Sequence, residues 1–557
     1  MLRRGLAVAL IAAALACGGQ DPPRVADLDP ADRFFDRSRI LEVRIEMAAA
    51  AWTALRAQTR RRLELLEGDC LAEPFTSPFT YFEAAVEIDG ERRTRVGVRK
   101  KGFIGSMDSV RPSLKVHYDE YTAGGNLYGL DHLTLNNSRQ DSSYLHQCFS
   151  YDAFTDAGLP SPRCNFVHLV VNNEDLGVYV NVETIDKDFL ARHFEDEDGD
   201  LFKATFGDFR PGWTGTFDSQ NEGADPAWIQ KLLSVLESAP DGELRRRVAE
   251  IIDLDRFLTY WAVEVLLLHW DGYAYNQNNY YVYGDPRTGR IVFLPWGTDG
   301  VFRTTGLTGP TSVFARGALT RRLYMNPETR DLYVARLREV MAAAWDEPRL
   351  LAETDRLELM IRPVVQRAGG SVSSLTGAIE GVRTFLRTRR GAIDKELSPD
   401  PPVWTQALRS PPCHRTVGQI SSRVVTTFGT HGADPFRSGT GQIGGTLNQI
   451  SLGATAVGAT IGADPAAPTT RVILTQASTA AAFGTLTLAC PFERFRLVPG
   501  AVIPLDFSST AQCNLTSRAG SQSVAMGRIV NGAITIEQGA TTNGAAVAAR
   551  IEGTVIQ

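Results

Sequence analysis

The chain has 557 residues, enough for two or three domains with their own cores. Its 58 Lys and Arg against 64 Asp and Glu leave a formal net charge of -6, which gives no electrostatic ground for a nucleic-acid partner. Hydrophobic residues make up 43%, ordinary for a soluble globular protein, and after residue 20 no apolar run is long enough to span a bilayer.

At the N-terminus, Met1-Leu2-Arg3-Arg4 is a positive n-region and Leu6 to Ala16 an apolar h-region of secretory length. It ends in Ala14-Leu15-Ala16-Cys17-Gly18-Gly19. Small residues before a cysteine at that place resemble the bacterial lipoprotein box, with Ala where Leu is usual. The resemblance implies a signal peptide over 1–17, lipidation of Cys17, and an exported lipoprotein of the outer membrane or cell surface, held to the membrane by lipid alone. Residues 18–33 read as a polar tether. Six further cysteines, at 70, 148, 164, 413, 490 and 513, fit disulfides in an exported protein, with Cys490–Cys513 the first pair expected.

Folded material begins at Phe34. Ile40 to Ile45 alternates like a strand, and Ala48 to Glu67 has helical spacing at Trp52, Leu55, Leu63 and Leu66. Phe82 to Ile88 and Thr94 to Val98 flank Asp89-Gly90, a hairpin turn. Arg99-Lys100-Lys101-Gly102-Phe103-Ile104-Gly105-Ser106 reads either as a basic hairpin loop or as a phosphate cradle. In the cradle reading the glycines let backbone amides approach an anion and the cations and a hydroxyl complete it. A helix is expected up to about Phe154 after the caps at Asp141 to Ser143. Phe166 to Val171 and Val178 to Val182 form a hairpin around a polar turn that leads into Glu183-Thr184-Ile185-Asp186. Asp208 to Asp225 reads as an irregular surface insertion, and helices are expected over 227–236, 253–268, 331–345, 348–368 and 371–397. After a linker at 399–405 the composition shifts to Gly, Thr, Ala and Ser with short alternating runs. Residues 406–557 therefore read as a small all-β, sandwich-like domain, either a surface or matrix contact or a structural spacer.

The chemistry-bearing stretch is His269-Trp270-Asp271 with Asn276, Asn278 and Asn279, followed by a hairpin over 282–294 and by Pro295-Trp296-Gly297-Thr298-Asp299-Gly300. An acid, a cluster of amides and a second acid around one strand-turn-strand unit are what phosphoryl transfer asks of a protein: a group to orient the attacking hydroxyl, and oxygen ligands for Mg²⁺.

The wording Asp-Gly-Tyr-x-x-Asn-x-Asn-Asn-Tyr-Tyr-x-Tyr, then Thr-Gly-Arg-x-x-x-x-Pro-Trp-Gly-x-Asp, resembles the spore-coat CotH kinase family. So do Arg111-Pro112-Ser113-Leu114-Lys115-Val116, the 171–190 segment and Leu135-Asn136-Asn137 with Asp141 and Ser143. The resemblance spans roughly 34–398. It implies an α+β, atypical protein-kinase-like two-lobed domain and Mg²⁺- or Mn²⁺-dependent transfer of the ATP γ-phosphate to a protein Ser or Thr hydroxyl. It assigns Asp271 to the acceptor hydroxyl, and Asp299 with Asn279 or, on kinase spacing, Asn276 to the metal. Lys115, Gly102, Ser106 and Glu183 go to the nucleotide, with Lys100, Lys101 and Lys203 competing for the role of Lys115. Two departures stand out: Gln147 where a helix glutamate is usual, and Gly297 where an acid is frequent.

Overall fold

The computed structural model describes residues 29–303, 306–507, 509–519 and 522–557; the expected signal peptide, Cys17 and most of the tether lie outside them. Among the described residues, seven strands close into a barrel: β1 (Leu41–Met47), β2 (Phe82–Ile88), β3 (Glu91–Lys101), β4 (Ser113–His117), β5 (His132–Asn136), β6 (Cys164–Val171) and β7 (Glu174–Val182). In β1, Leu41, Val43 and Ile45 are buried and the residues between them exposed, the period-two pattern of a strand with one face on a core. β1 lies parallel to β6, with Val43 opposite Leu169, and this pairing closes the ring. Asn172 and Asn173 join β6 to β7 at φ of 48° and 67°, the left-handed two-residue turn that Asn tolerates.

The helix expected over 48–67 is broken. α1 (Ala49–Ala57) ends at an extended Gln58, and α2 (Arg62–Leu65) is one short turn. The buried Lys100 ammonium holds the break, donating to the carbonyls of Arg56 at 3.0 Å and Gln58 at 2.8 Å.

α3 (His146–Asp156) packs on the barrel and α4 (Lys187–His193) follows β7. A small antiparallel sheet comes next: β8 (Asp200–Ala204), β9 (Phe217–Ser219), β10 (Tyr280–Asp285) and β11 (Arg290–Pro295), in the order β11-β10-β8-β9. The segment expected as a surface insertion is instead anchored inside, with Asp208 and Trp213 buried. Helices surround this sheet: α5 (Ala227–Ser238), α6 (Asp241–Ala249), α7 (Leu254–Leu267), α8 (Tyr273–Asn276), α9 (Ala318–Met325), α10 (Pro327–Ala344), α11 (Glu347–Arg367) and α12 (Val372–Glu396). Asp253, Asn326, Asp346 and Ser371 cap α7, α10, α11 and α12 by accepting from the backbone N–H three residues on.

α7 is apolar nearly all round and forms the centre of the core. It stops at Leu268, which is left-handed at φ 51°. The buried Arg389 guanidinium donates to the last carbonyls, Val265 at 2.6 Å and Leu266 at 2.9 Å, placing a cation at a helix C-terminus. The chain that follows, from His269, therefore leaves a rigid support.

Among the described residues beyond Arg415, ten antiparallel strands between Thr416 and Ile556 form one sheet. The expected two-sheet sandwich is a single sheet curled over one core that includes Val424, Ile461, Leu488, Ile536 and Ile551. A bridge between Phe428 and Ile461 joins chain segments far apart in the strand order and records the curl. Cys490 pairs with Cys513 as expected, Cys148 pairs with Cys164, and Cys70 pairs with Cys413 across 343 residues. Among the described residues no helix is long and apolar enough to cross a membrane.

Candidate functional site

A cleft of about 420 Å³ lies between the barrel and the small sheet. Strand alternation decides which cations enter it. Arg99 and Lys101 project from one side of β3, and Lys100 points the other way to α1. Lys115 on β4, Lys203 on β8 and Arg60 complete the basic lining, against Asp218 and Asp299. Burial first, then the neighbouring Lys203, Lys115 and Arg99, push the Lys101 ammonium down to about 7. Burial and Arg99 push Lys115 down to about 8. Arg60 is brought down to about 10 by burial and by Arg99, and its Nε and Nη1 are buried without a hydrogen-bond partner. A wall of mutually repelling cations with unspent donors fits a multiply charged anion such as a polyphosphate.

The loop after β3 adds backbone to this wall. Gly102 has φ 127°, a conformation side chains rarely adopt, and a Cβ there would stand 2.8 Å from Ser106 Oγ. That hydroxyl also accepts from the Phe103 N–H at 3.2 Å, so Gly102 and Ser106 close one tight turn at the cleft.

The acidic end is built from α7 outward. Glu264, buried in α7, accepts from the N–H groups of Tyr273 at 2.7 Å and Ala274 at 2.8 Å and from the Tyr260 hydroxyl at 2.9 Å. It thereby fixes the start of α8. Burial pushes this carboxyl up to about 7. The His269 ring is buried under Gly272, and burial brings it down to about 4, so it stands as a neutral support.

Asp271 follows, caged by amides. Asn276 and Asn278 donate to its Oδ1 at 2.5 and 3.2 Å, and Asn279 donates to its Oδ2 at 2.8 Å. Burial raises its pKa against the lowering effect of these donors. Asn279 adopts the left-handed region, φ 52°, which Asn accepts more readily than most residues. Its carboxamide fills the space where a Gly297 side chain would stand, 2.7 Å from a Cβ there. Gly297 is also left-handed, φ 56°, so a side chain there would meet backbone strain as well as the Asn279 carboxamide.

Asp299 lies across from this cage, and burial, then the Asp271 charge, push it up to about 6. His146, at the start of α3, donates from Nδ1 to the Asp299 carbonyl at 2.7 Å, with Nε2 3.4 Å from Asp141. One more α3 residue reaches the cleft through a relay. Lys101 Nζ donates to Asn136 Oδ1 at 2.6 Å, and Asn136 Nδ2 donates to Gln147 Oε1 at 2.7 Å.

Of the residues expected in the site, Lys115, Gly102, Ser106, Asn279 and Asp299 line the cleft. Asp271 and Asn276 are not among the lining residues: Asp271 sits behind Asn278 and Asn279, bonded to all three amides. The expectation that Glu183 lines the cleft is not met: Arg163 and Arg192 occupy both its oxygens, and its neighbour Thr184 faces the cleft instead. Sequence reading named Lys101 only as a competitor of Lys115, where the structure joins it to α3, and Asn278 only within the amide cluster, without a role; it missed Glu264. The sequence does carry one signal for Glu264: it is the sole charge in the apolar run Phe257 to Leu268.

Among the described residues no group of three or more His, Cys, Asp or Glu forms a cation cage. The Asp299 carboxylate and the Asn279 amide oxygen, both on residues that line the cleft, are oxygen donors of the type a hard divalent ion takes. The Asn279 nitrogen is spent on Asp271, which leaves its oxygen for a cation.

A family model described as CotH kinase protein matches residues 98–393, more than half of the chain. Inner spore coat protein H of Bacillus subtilis (strain 168) is 24% identical over 259 residues, covering 42% of this chain and 69% of that protein. A chain in the complex of the Shewanella oneidensis MR-1 toxin–antitoxin system HipA, HipB and its operator DNA is 11% identical, with 63% of this chain and 73% of that one covered. Its TM-score of 0.29 is too slight a likeness to bear on the fold.

Proposed function

The chain belongs to the CotH kinase family, and we propose that it transfers the γ-phosphoryl group of ATP, with Mg²⁺ or Mn²⁺, to a Ser or Thr hydroxyl of a protein substrate. The observation that carries this reading is the pairing of an amide-caged Asp271 and a nearby Asp299 with a cleft walled by Arg60, Arg99, Lys101, Lys115 and Lys203. In this reading the barrel is the small lobe and the helical part the large lobe of a kinase-like domain over 34–398. The sheet between Thr416 and Ile556 is then an appended surface domain, and residues 399–415 run along the kinase-like part to reach it.

Bound Mg²⁺ would supply charge neutralisation on the phosphate oxygens. Asp299 and the Asn279 amide oxygen are the residues that would hold it. Lys101, Lys115 and Arg99 bind and orient the phosphates, and the Gly102–Ser106 turn offers backbone at close range. Asp271 Oδ2 accepts one hydrogen bond from Asn279 and has a lone pair left for the acceptor hydroxyl, whose proton it orients or takes.

A second reading is a catalytically silent surface binding protein. Gln147 favours it, because the relay gives Lys101 neutral partners, Asn136 and through it Gln147, where kinases use an ion pair. Calorimetry of ATP with Mg²⁺ separates the two readings. An anion among the cleft cations favours their charged forms and raises their pKa, so binding takes up protons. Affinity is then expected to fall as pH rises past about 7, where Lys101 titrates, and the measured heat to depend on the buffer's ionisation enthalpy. Binding that is absent at every pH would move the reading to the silent protein.

The spore-coat relative supports a surface or extracellular setting. The finer proposal is a Cys17 lipid anchor on the outer membrane or cell surface. Cys17→Ser is expected to move the protein from the membrane to the soluble fraction, and unchanged membrane retention would refute the anchor.

A further inference from the structure

The loop that carries Asp271 ends against a stretch of chain that lies beyond the family-matched residues. Residues 402–414 cross the helical part and reach the barrel side. The Tyr324 hydroxyl donates to the Pro402 carbonyl at 2.7 Å, Trp404 is buried, and Gln406 is held by Thr308 and Arg321. At the far end Cys413 is bonded to Cys70, and the His414 backbone pairs with Leu66 and Gly68, each at 2.8 Å. Cys70 in turn precedes Pro74 to Ser77 and Phe79, which line the cleft. This strap is therefore pinned at both ends, once to the helical part and once to the roof of the cleft.

Arg409 lies between the pins. Its Nη1 donates to the Asn276 carbonyl at 3.0 Å, and its backbone N–H donates to the Arg316 carbonyl at 3.2 Å. Arg316 itself donates to the Ala274 carbonyl at 2.9 Å, and the Arg409 carbonyl accepts from Arg210 at 2.5 Å. The guanidinium stacks over Phe206 at 4.5 Å and Trp213 at 5.6 Å. A half-buried cation locked by two rings, with a donor on the backbone of the amide cage, has little freedom left. Its charge also acts on the Asp271 carboxylate.

We infer that the 402–414 strap is a working part of the site and that Arg409 is a positioning residue, holding the Asn276–Asn279 turn so that its amides fix the Asp271 carboxylate. This rests on the phosphoryl-transfer reading for its consequence in catalysis, but the positioning itself is measurable without turnover.

The test is Arg409→Met and Arg409→Lys in the full chain, with kcat and KM for ATP, and with amide hydrogen exchange over 269–280. In Arg409→Met, kcat is expected to fall about tenfold to hundredfold with KM for ATP within about twofold. Exchange over 269–280 is expected to speed up about fivefold or more while α10 to α12 stay unchanged. Arg409→Lys, which keeps the charge and a donor, is expected to recover part of both. Wild-type kcat and exchange in Arg409→Met would overturn the inference, as would faster exchange throughout the molecule. If the wild type transfers no phosphate, the kinase reading fails while exchange over 269–280 still decides the role of Arg409. If Arg409→Met does not fold, the Cys70→Ser, Cys413→Ser pair takes its place. Releasing the strap is then expected to loosen 269–280, and unchanged exchange there would overturn the inference.

Discussion

Asp271→Asn is expected to lower phosphoryl transfer by about a hundredfold to ten-thousandfold, the range for loss of a general base, with the fold retained. The substitution keeps the shape and removes the charge. It also disturbs the cage. Oδ2 of Asp271 accepts from the Asn279 nitrogen, so an amide nitrogen at that place would meet another donor. Turning the residue 271 carboxamide would only set its nitrogen against the Asn276 and Asn278 donors, so relief falls to Asn279. If Asn279 turns, its oxygen faces residue 271 and is lost to a cation. The variant should therefore lose turnover and also bind Mg²⁺ more weakly in the presence of ATP, with a melting temperature close to wild type. Full turnover in Asp271→Asn would remove this residue from the reaction.

Glu264→Ala is expected to produce the largest loss of stability, about 3 kcal/mol or more. Three donors converge on this carboxylate, the Tyr273 and Ala274 N–H groups and the Tyr260 hydroxyl, and each would be left buried and unpaired. Glu264→Gln is the discriminating companion. A carboxamide oxygen can keep the two bonds made to Oε1, and its nitrogen then opposes the Ala274 N–H, so about 1–2 kcal/mol is expected. The pH dependence has a definite sign. The folded carboxyl holds its proton more tightly, near 7 against 4.5 for the free side chain, so its share of stability falls as pH rises between those values and is level above them. Glu264→Gln removes that slope. Chemical denaturation of the three proteins from pH 5 to 8 measures both effects.

Much of the frame was readable from local pattern. The apolar run of α7 with Asp253 as its cap, the 280–295 hairpin and the Asn172-Asn173 turn each follow from nearby residues alone. What was not readable depends on contacts between distant segments. The barrel closes by pairing β1 with β6, more than a hundred residues on, and parallel pairing leaves no turn signature. Glu183 and Lys101 show the same limit in the site. A glutamate after a strand looks available for a ligand until Arg163 and Arg192 arrive from elsewhere in the fold. Three consecutive cations on β3 look equivalent until alternation sends Lys100 to α1 and Arg99 and Lys101 to the cleft. Asp271 and Asp299 were readable because one hairpin fixes the acids around it. Arg409 was not, because it comes from outside the helical part and reaches the loop over a separation of 133 residues.

The central claim is that the cleft performs phosphoryl transfer, and intact-mass analysis after incubation with ATP and Mg²⁺ tests it most directly, with Asp271→Asn in parallel. The account predicts a phosphate-sized mass gain, on the chain or on an added protein acceptor, in the wild type and none in the variant. An equal gain in both proteins, or none in the wild type under conditions where calorimetry detects bound ATP and Mg²⁺, would contradict it.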